Sequence, residues 1–242
     1  MPFLQREDAS IYYEEYGTGY PLLLLAPGSL QSTIDAWHQS PWDPIVELAE
    51  GYRVIAMDQR NAGRSRAPIS AADGWDTYRQ DQIAVLDQLG VRRAHVMGGC
   101  IGVPFAFGLI EAQPWRVSAA VMQNPSGAIE PRRVTGGFDR WREQLSGHPE
   151  ASAEVLDAFR ENLYRQLFVY TVTRDFVRAC PTPMLILAGN DDAHPYQLSQ
   201  ELAELAPNAE FIAEWREGAA REAAFKRVRE FLRSHTPAAS AG

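Results

Sequence analysis

The chain has few of the features that mark a secreted, membrane-bound or nucleic-acid-binding protein. It carries only two cysteines in 242 residues, which gives no disulfide framework and fits a reducing compartment such as the cytoplasm. Lys226 is the single lysine, and a net charge of -8 argues against a nucleic-acid-binding surface. The longest apolar run, Leu22 to Ala26, is too short to cross a bilayer. Residues 1–10 lack the apolar segment of a signal peptide.

What the chain does have is the composition and patterning of one large α/β domain. It is 45% hydrophobic, and apolar runs typical of buried strands alternate with segments of helical periodicity. This alternation predicts a mostly parallel sheet with helices on both faces. The predicted strands are Leu4–Arg6, Ile11–Tyr16, Pro21–Ala26, Tyr52–Met57, Ala94–Met97, Val117–Gln123, Met184–Ala188 and Glu210–Ala213. The predicted helices include Thr77–Leu89, Val103–Gln113, Asp139–Leu145, Ser152–Phe168, Tyr196–Leu205 and Arg221–Arg233.

The alternation is interrupted once. Strand signals disappear over residues 128–179, where helical segments and clustered aromatics replace them. An insertion of this length is typical of a lid. We therefore expect a core formed by residues 1–127 and 180–236, a helical lid over 128–179, and a flexible tail over 237–242.

One stretch carries a chemical signature. The strand ending at Met97 runs into Gly98-x-Cys100-x-Gly102, and a helical segment follows at once. Small residues on both sides of a single thiol allow the sharp strand-to-helix turn of a nucleophile elbow. A thiol at a helix N-terminus loses its proton more readily than a free thiol, so Cys100 is the candidate nucleophile.

Four stretches, in order and at suitable spacing, resemble the motifs of the α/β-hydrolase superfamily. They are Leu22–Ser29, Asp58–Ser65, Gly98–Gly102 and Leu185–Asp192. The elbow, with cysteine in place of the usual serine, resembles that of dienelactone hydrolases. The resemblance implies an α/β-hydrolase fold with a mostly parallel sheet, helices on both faces and a short helical lid.

The resemblance also implies roles for particular residues. The backbone amides of Ile101 and Ser29, or Leu30 in place of Ser29, would form the oxyanion hole. The acid of the triad would be Asp191 or Asp192, with a slight preference for Asp191. The family's histidine follows the last strand, but residues 213–219 contain none. Of the five histidines in the chain, His194 lies in the acid loop and is the best candidate base.

These assignments predict a hydrolase that acts on a small ester, lactone or thioester through an acyl-Cys100 intermediate. Two alternatives stay open: an acyltransferase with a thioester donor, and a non-catalytic ligand-binding protein on the same scaffold. Leu30, Trp37 and Trp141 are expected to contact the substrate. No metal-ligand spacing or dinucleotide fingerprint occurs, so no cofactor is expected. The expected partner is a small molecule, with no nucleic acid or membrane, and a homodimer stays open.

Overall fold

A computed structural model describes residues 2–6, 9–128, 136–145, 147–165 and 168–238. Within these residues, eight strands form one sheet in the order β1-β2-β4-β3-β5-β6-β7-β8. The first two pairings are antiparallel and all others are parallel. The strands are β1 (Phe3–Arg6), β2 (Ala9–Tyr16), β3 (Tyr20–Leu25), β4 (Tyr52–Met57), β5 (Ala94–Gly99), β6 (Val117–Gln123), β7 (Met184–Leu187) and β8 (Ala209–Ile212).

Helices cover both faces of this sheet. They are α1 (Pro44–Leu48), α2 (Trp75–Gln88), α3 (Gly102–Ala112), α4 (Gly136–Arg142), α5 (Ala153–Tyr164), α6 (Arg174–Ala179), α7 (Tyr196–Leu205) and α8 (Gly218–Ser234). Helices α1 and α8 bury their apolar sides in the core on one face, and α2, α3 and α7 bury theirs on the other. The predicted fold class, an α/β-hydrolase fold with a mostly parallel sheet, is confirmed.

Between β6 and β7 the described chain is helical. Helices α4 and α5 pack through a cluster of aromatic rings, Phe138, Trp141 and Phe159, whose centroids lie 5.5–6.0 Å apart. The expected lid spans 128–179, and its residues 129–135, 146 and 166–167 lie outside the described residues. The same holds for residues 239–242 of the expected tail.

Element bounds differ from the predictions mostly at the ends. The elbow strand continues two residues beyond Met97, to Gly99. The helix α6 was not predicted, because it is only six residues long and half of them are charged. In the described ranges, no helix is both long and apolar enough to traverse a membrane.

Candidate active site

The candidate site lies where four neighbouring parallel strands end. One residue past each strand, backbone amides bond across to the next strand in the sheet. Cys100 N donates to Gln123 O, Asn124 N to Leu187 O, and Ala188 N to Ile212 O, each at 2.9 Å. These bonds continue the ladder beyond the strands and fix the starts of the loops relative to one another. Open α/β sheets place their ligands at this edge.

Cys100 occupies the tip of the turn between β5 and α3. Its φ of 56° lies in the left-handed region that non-glycine residues rarely adopt, as a nucleophile elbow requires. A Cβ atom on Gly102 would lie 1.9 Å from the Leu25 carbonyl oxygen, so only glycine permits this approach of turn and strand. The Cys100 side chain is half-buried, and its sulfur lies 3.2 Å from the Ser126 hydroxyl.

His194 and Asp191 come from one tight turn after β7. The His194 Nδ1 lies 2.9 Å from Asp191 Oδ1, and the turn closes through reciprocal backbone bonds between the two residues. The amides of Ala193 and His194 also donate to Asp191 Oδ1. Burial would raise the pKa of Asp191, but the His194 side chain and these amides lower it below its usual range. Asp191, one of the two candidate acids, therefore contacts the imidazole.

His194 also acts on Cys100. Burial raises the pKa of the Cys100 thiol, but the His194 side chain outweighs it, helped by Ser126 and the Gly28 backbone, so the net shift is downward. Burial lowers the pKa of His194, yet Cys100 and Asp191 raise it to about 9. Each group thus favours the charged form of the other, and the buried Nε2 of His194 makes no hydrogen bond among the described residues.

Backbone amides near the sulfur could receive a developing negative charge. Neither the Ile101 nor the Ser29 amide has a hydrogen-bond acceptor among the residues that the structure describes. Ser29 has a φ of 56°, which turns the chain sharply after Gly28. The Gly28 backbone already lowers the pKa of the Cys100 thiol, so this loop lies close to the sulfur.

The sequence analysis did not assign three further residues to the site: Ser126, which contacts Cys100, and Tyr164 and Tyr170, whose pKa values respond to the charge on Cys100. Ser126 follows β6, and it contacts the Cys100 thiol because β6 lies beside β5 in the sheet. Tyr164 and Tyr170 come from the segment between β6 and β7. The pKa values of both phenols are raised, mainly by burial and in part by the negative charge on Cys100, so both remain protonated donors.

Tyr170 is held in a strained conformation. Its φ is 61°, and the Thr171 amide donates to Val169 O at 2.7 Å, which makes Tyr170 the centre of a γ-turn. The Thr171 hydroxyl anchors this turn to the Pro104 carbonyl of α3. The Tyr170 ring stacks on Trp75 and meets Tyr164 edge-on. Strain of this kind in a bulky residue is typical of functional sites.

The structure corrects the three expected substrate contacts. Leu30 and Trp37 are 0% exposed and Trp141 is 1% exposed, so none of them presents a surface to a pocket. Trp37 packs in the core on the far face of the sheet, with its ring under Gly99. Trp141 packs among lid aromatics and donates its indole N–H to Asn61 O. Tryptophans in loops on the side of the site were expected to line the pocket, but Trp37 and Trp141 fill space in the hydrophobic core.

The described ranges contain no group of three or more His, Cys, Asp or Glu side chains that could hold a metal ion. The alternative acid, Asp192, is exposed.

A family model described as the alpha/beta hydrolase fold matches residues 21–168, more than half of the chain. The chain belongs to the α/β hydrolase family. The match includes the elbow and ends before the acid loop and β8.

Curated relatives of this α/β hydrolase carry several names. A non-heme haloperoxidase from Rhodococcus erythropolis is 33% identical over 164 residues, which are 66% of this chain and 53% of the relative. A putative carbamate hydrolase RutD from Pseudomonas savastanoi pv. phaseolicola is 25% identical over 79% of this chain and 84% of its own length. The chain thus spans about half the length of the haloperoxidase.

Solved structures share the fold at low identity. An esterase, RhEst1, from Rhodococcus sp. ECU1013 is 23% identical with a TM-score of 0.68, covering 98% of this chain and all of that one. An enol-lactonase from Burkholderia xenovorans LB400 is 19% identical with a TM-score of 0.67, covering 96% of this chain and all of that one.

Proposed function

We propose that this α/β hydrolase cleaves a small ester, lactone or thioester through a covalent acyl intermediate on Cys100. The observation that carries the proposal is that β5 and β7 end at the same edge of the sheet. Cys100 lies in a strained turn after β5, and the loop after β7 holds Asp191 bonded to His194, whose side chain lowers the pKa of Cys100. The relatives named as hydrolase, esterase and lactonase support this class of bond.

The chemistry follows from the charges on the pair. The Cys100 thiolate attacks the acyl carbon, and the carbonyl π electrons move onto oxygen, where the amides of Ile101 and Ser29 can donate to them. As the carbonyl re-forms, the bond to the leaving oxygen or sulfur breaks, and the His194 imidazolium donates its proton to the leaving group. Neutral His194 then takes a proton from water, which attacks the thioester and releases the acid and the thiol.

Asp191 keeps the imidazole in the required orientation and stabilises its charged form. The segment 128–179 is proposed as the lid, and its residues Tyr164 and Tyr170 lie within electrostatic reach of Cys100. Two phenol donors in an aromatic wall fit an acyl group that is flat or apolar and carries an oxygen near the reacting carbon.

The test is a panel of chromogenic esters, lactones and acyl thioesters with the wild type, Cys100→Ala and Cys100→Ser. We expect turnover by the wild type, its loss in Cys100→Ala, and an acyl adduct on Cys100 in rapidly quenched samples by mass spectrometry. The buried Cys180, changed to alanine, is the matched control and should retain activity.

Other results would replace this proposal. An adduct that clears only when an alcohol or amine acceptor is added would indicate acyl transfer. Tight binding of the substrates with no adduct and no turnover would indicate a ligand-binding protein.

A further inference from the structure

Arg216 lies after β8, where the family resemblance places the catalytic histidine. It is half-buried, and its guanidinium lies over the ring of the neighbouring Trp215, 4.4 Å from the ring centroid. Partial burial of a guanidinium costs hydration free energy, which hydrogen bonds to the guanidinium must offset.

Those contacts join two strand ends of the site. Arg216 Nη2 donates to the side-chain oxygen of Asn124, directly after β6. The same nitrogen donates to the carbonyl of Ala188, directly after β7, at 2.8 Å. The fully buried Trp215 donates its indole N–H to the same Ala188 carbonyl, also at 2.8 Å. Arg216 and Trp215 together therefore clamp the point from which the acid loop starts.

The clamp is one residue from the turn that carries the acid and the base. Gly189 follows Ala188, and its amide donates to the Ser199 hydroxyl of α7 at 3.0 Å. A Cβ atom on Gly189 would lie 2.0 Å from the His194 carbonyl oxygen, so the start and the end of the loop are in direct contact. A shift of Ala188 is therefore transmitted to His194.

The positive charge of Arg216 also acts on the acid loop. Burial lowers the pKa of Arg216, and the carboxylates of Asp191 and Glu214 partly restore it. The guanidinium is thus within electrostatic reach of the acid that orients His194. It favours the ionised form of Asp191.

We propose that Arg216 is a positioning residue, which clamps the ends of β6 and β7 so that the loop holds the His194 imidazole against Cys100. The inference deepens the proposed function and rests on the assignment of Cys100 and His194 as a working pair. Arg216 lies where the family resemblance would place a histidine, and its contacts support the loop that carries His194.

The test measures the alkylation rate of Cys100 by iodoacetamide against pH, in a Cys180→Ala background. We expect Arg216→Met to move the midpoint upward, towards that of His194→Ala, and to slow alkylation at pH 7 about threefold to tenfold, because the thiol loses part of its imidazolium partner. Arg221→Met is the matched control: this exposed arginine on α8 makes one long contact, to Pro41 O at 3.5 Å, and its loss should leave the midpoint unchanged.

Arg216→Lys separates the clamp from the charge. Lysine keeps the charge but not the planar fork that reaches two acceptors, so we expect most of the shift seen with methionine. Asn124→Gly removes one acceptor while suiting the φ of 50° at that position, and should give a smaller shift in the same direction. This variant also tests the clamp if Arg216→Met fails to fold.

Two results would overturn the inference. The first is a lower Tm with an unchanged alkylation midpoint in both Arg216→Met and Asn124→Gly, which would assign Arg216 to stability alone. The second is a wild-type alkylation profile in Arg216→Lys. This result would show that the positive charge is sufficient and that the two hydrogen bonds of the clamp are not required. Alkylation needs no substrate, so failure of the hydrolase assay would leave this measurement interpretable, and the reverse is also true.

Discussion

Asp191 and His194 are three residues apart in one turn, and the Nδ1 of His194 lies 2.9 Å from Asp191 Oδ1. The acid and the base of the proposed mechanism thus come from a single loop. Two backbone amides of the same turn donate to Asp191 Oδ1, so the turn itself orients the carboxylate towards the imidazole. The short turn between the two residues therefore fixes the distance from the carboxylate to the imidazole, without the packing of a second loop.

The pH profile of hydrolysis should be bell-shaped. The pKa of Cys100 lies below the ordinary thiol value, and the pKa of His194 is raised to about 9. Activity should rise as Cys100 ionises on the acid side and fall near pH 9 as His194 loses its proton. In His194→Ala, kcat/KM should fall about 100-fold or more, and the alkylation midpoint of Cys100 should move up. An unchanged alkylation profile would remove His194 from the mechanism.

The two neighbouring aspartates should behave differently on substitution. Asp191→Asn removes the charge that stabilises the imidazolium, so we expect kcat to fall about tenfold to 100-fold and the alkaline limb to move to lower pH. Asp192→Asn should have a much smaller effect, because Asp191 is the carboxylate bonded to His194. Steady-state kinetics across pH for the two variants provides the comparison, and equal losses would contradict it.

Gly189 should not tolerate a side chain. Gly189→Ala places a methyl group 2.0 Å from the His194 carbonyl oxygen, which forces the loop to move. We expect a loss of about 1–3 kcal/mol in the free energy of unfolding, together with reduced activity. Gly51→Ala is the control, since its Cβ would meet no atom within 4 Å. Urea denaturation monitored by circular dichroism measures both variants.

Tyr170 should affect substrate recognition more than stability. Tyr170→Phe keeps the ring stacked on Trp75 and removes only the hydroxyl, so we expect kcat/KM to fall about tenfold with little change in Tm. Tyr78→Phe is a matched control, a buried phenol that stacks on Phe159. A similar loss in both variants would indicate that the Tyr170 hydroxyl supports the core and not the substrate.

His95 should make the fold sensitive to acid. It is buried near the amino end of β5, with Nε2 2.9 Å from the Thr236 hydroxyl, and burial lowers its pKa to about 4. The unfolded chain takes up this proton near pH 6.5, and the folded chain takes it up near pH 4. Stability should therefore fall as the pH falls through this range, by about 3 kcal/mol in total.

His95→Gln should flatten that part of the stability curve, because it removes the buried imidazole. Unfolding midpoints in urea between pH 4 and 7 are the measurement. A curve of unchanged slope in His95→Gln would contradict the assignment.

The fold could be predicted because its central strands, β3 to β7, are largely buried on both faces and therefore appear as mostly apolar runs. The bounds of β6 and α7 agree with the sequence to the residue. The helix α6 could not be predicted in this way, since its position depends on packing against α7 and not on its own pattern.

The site was predictable only in part. The glycines around Cys100 indicate the elbow because that turn is local. The contact between Ser126 and Cys100 depends on β6 lying beside β5, and the strained turn at Tyr170 depends on its anchor to Pro104. The proximity of His194 to Asp191 is local, but its reach to the sulfur requires the tertiary fold.

A loop that carries both proton-handling groups changes as one piece. Inserting or deleting a residue between Gly189 and Pro195 would displace acid and base together, so a change in loop length cannot move one of them alone. Recombination, by contrast, can copy both in a single exchange. The pair is then inherited as a unit, and a serine-based relative could acquire it whole.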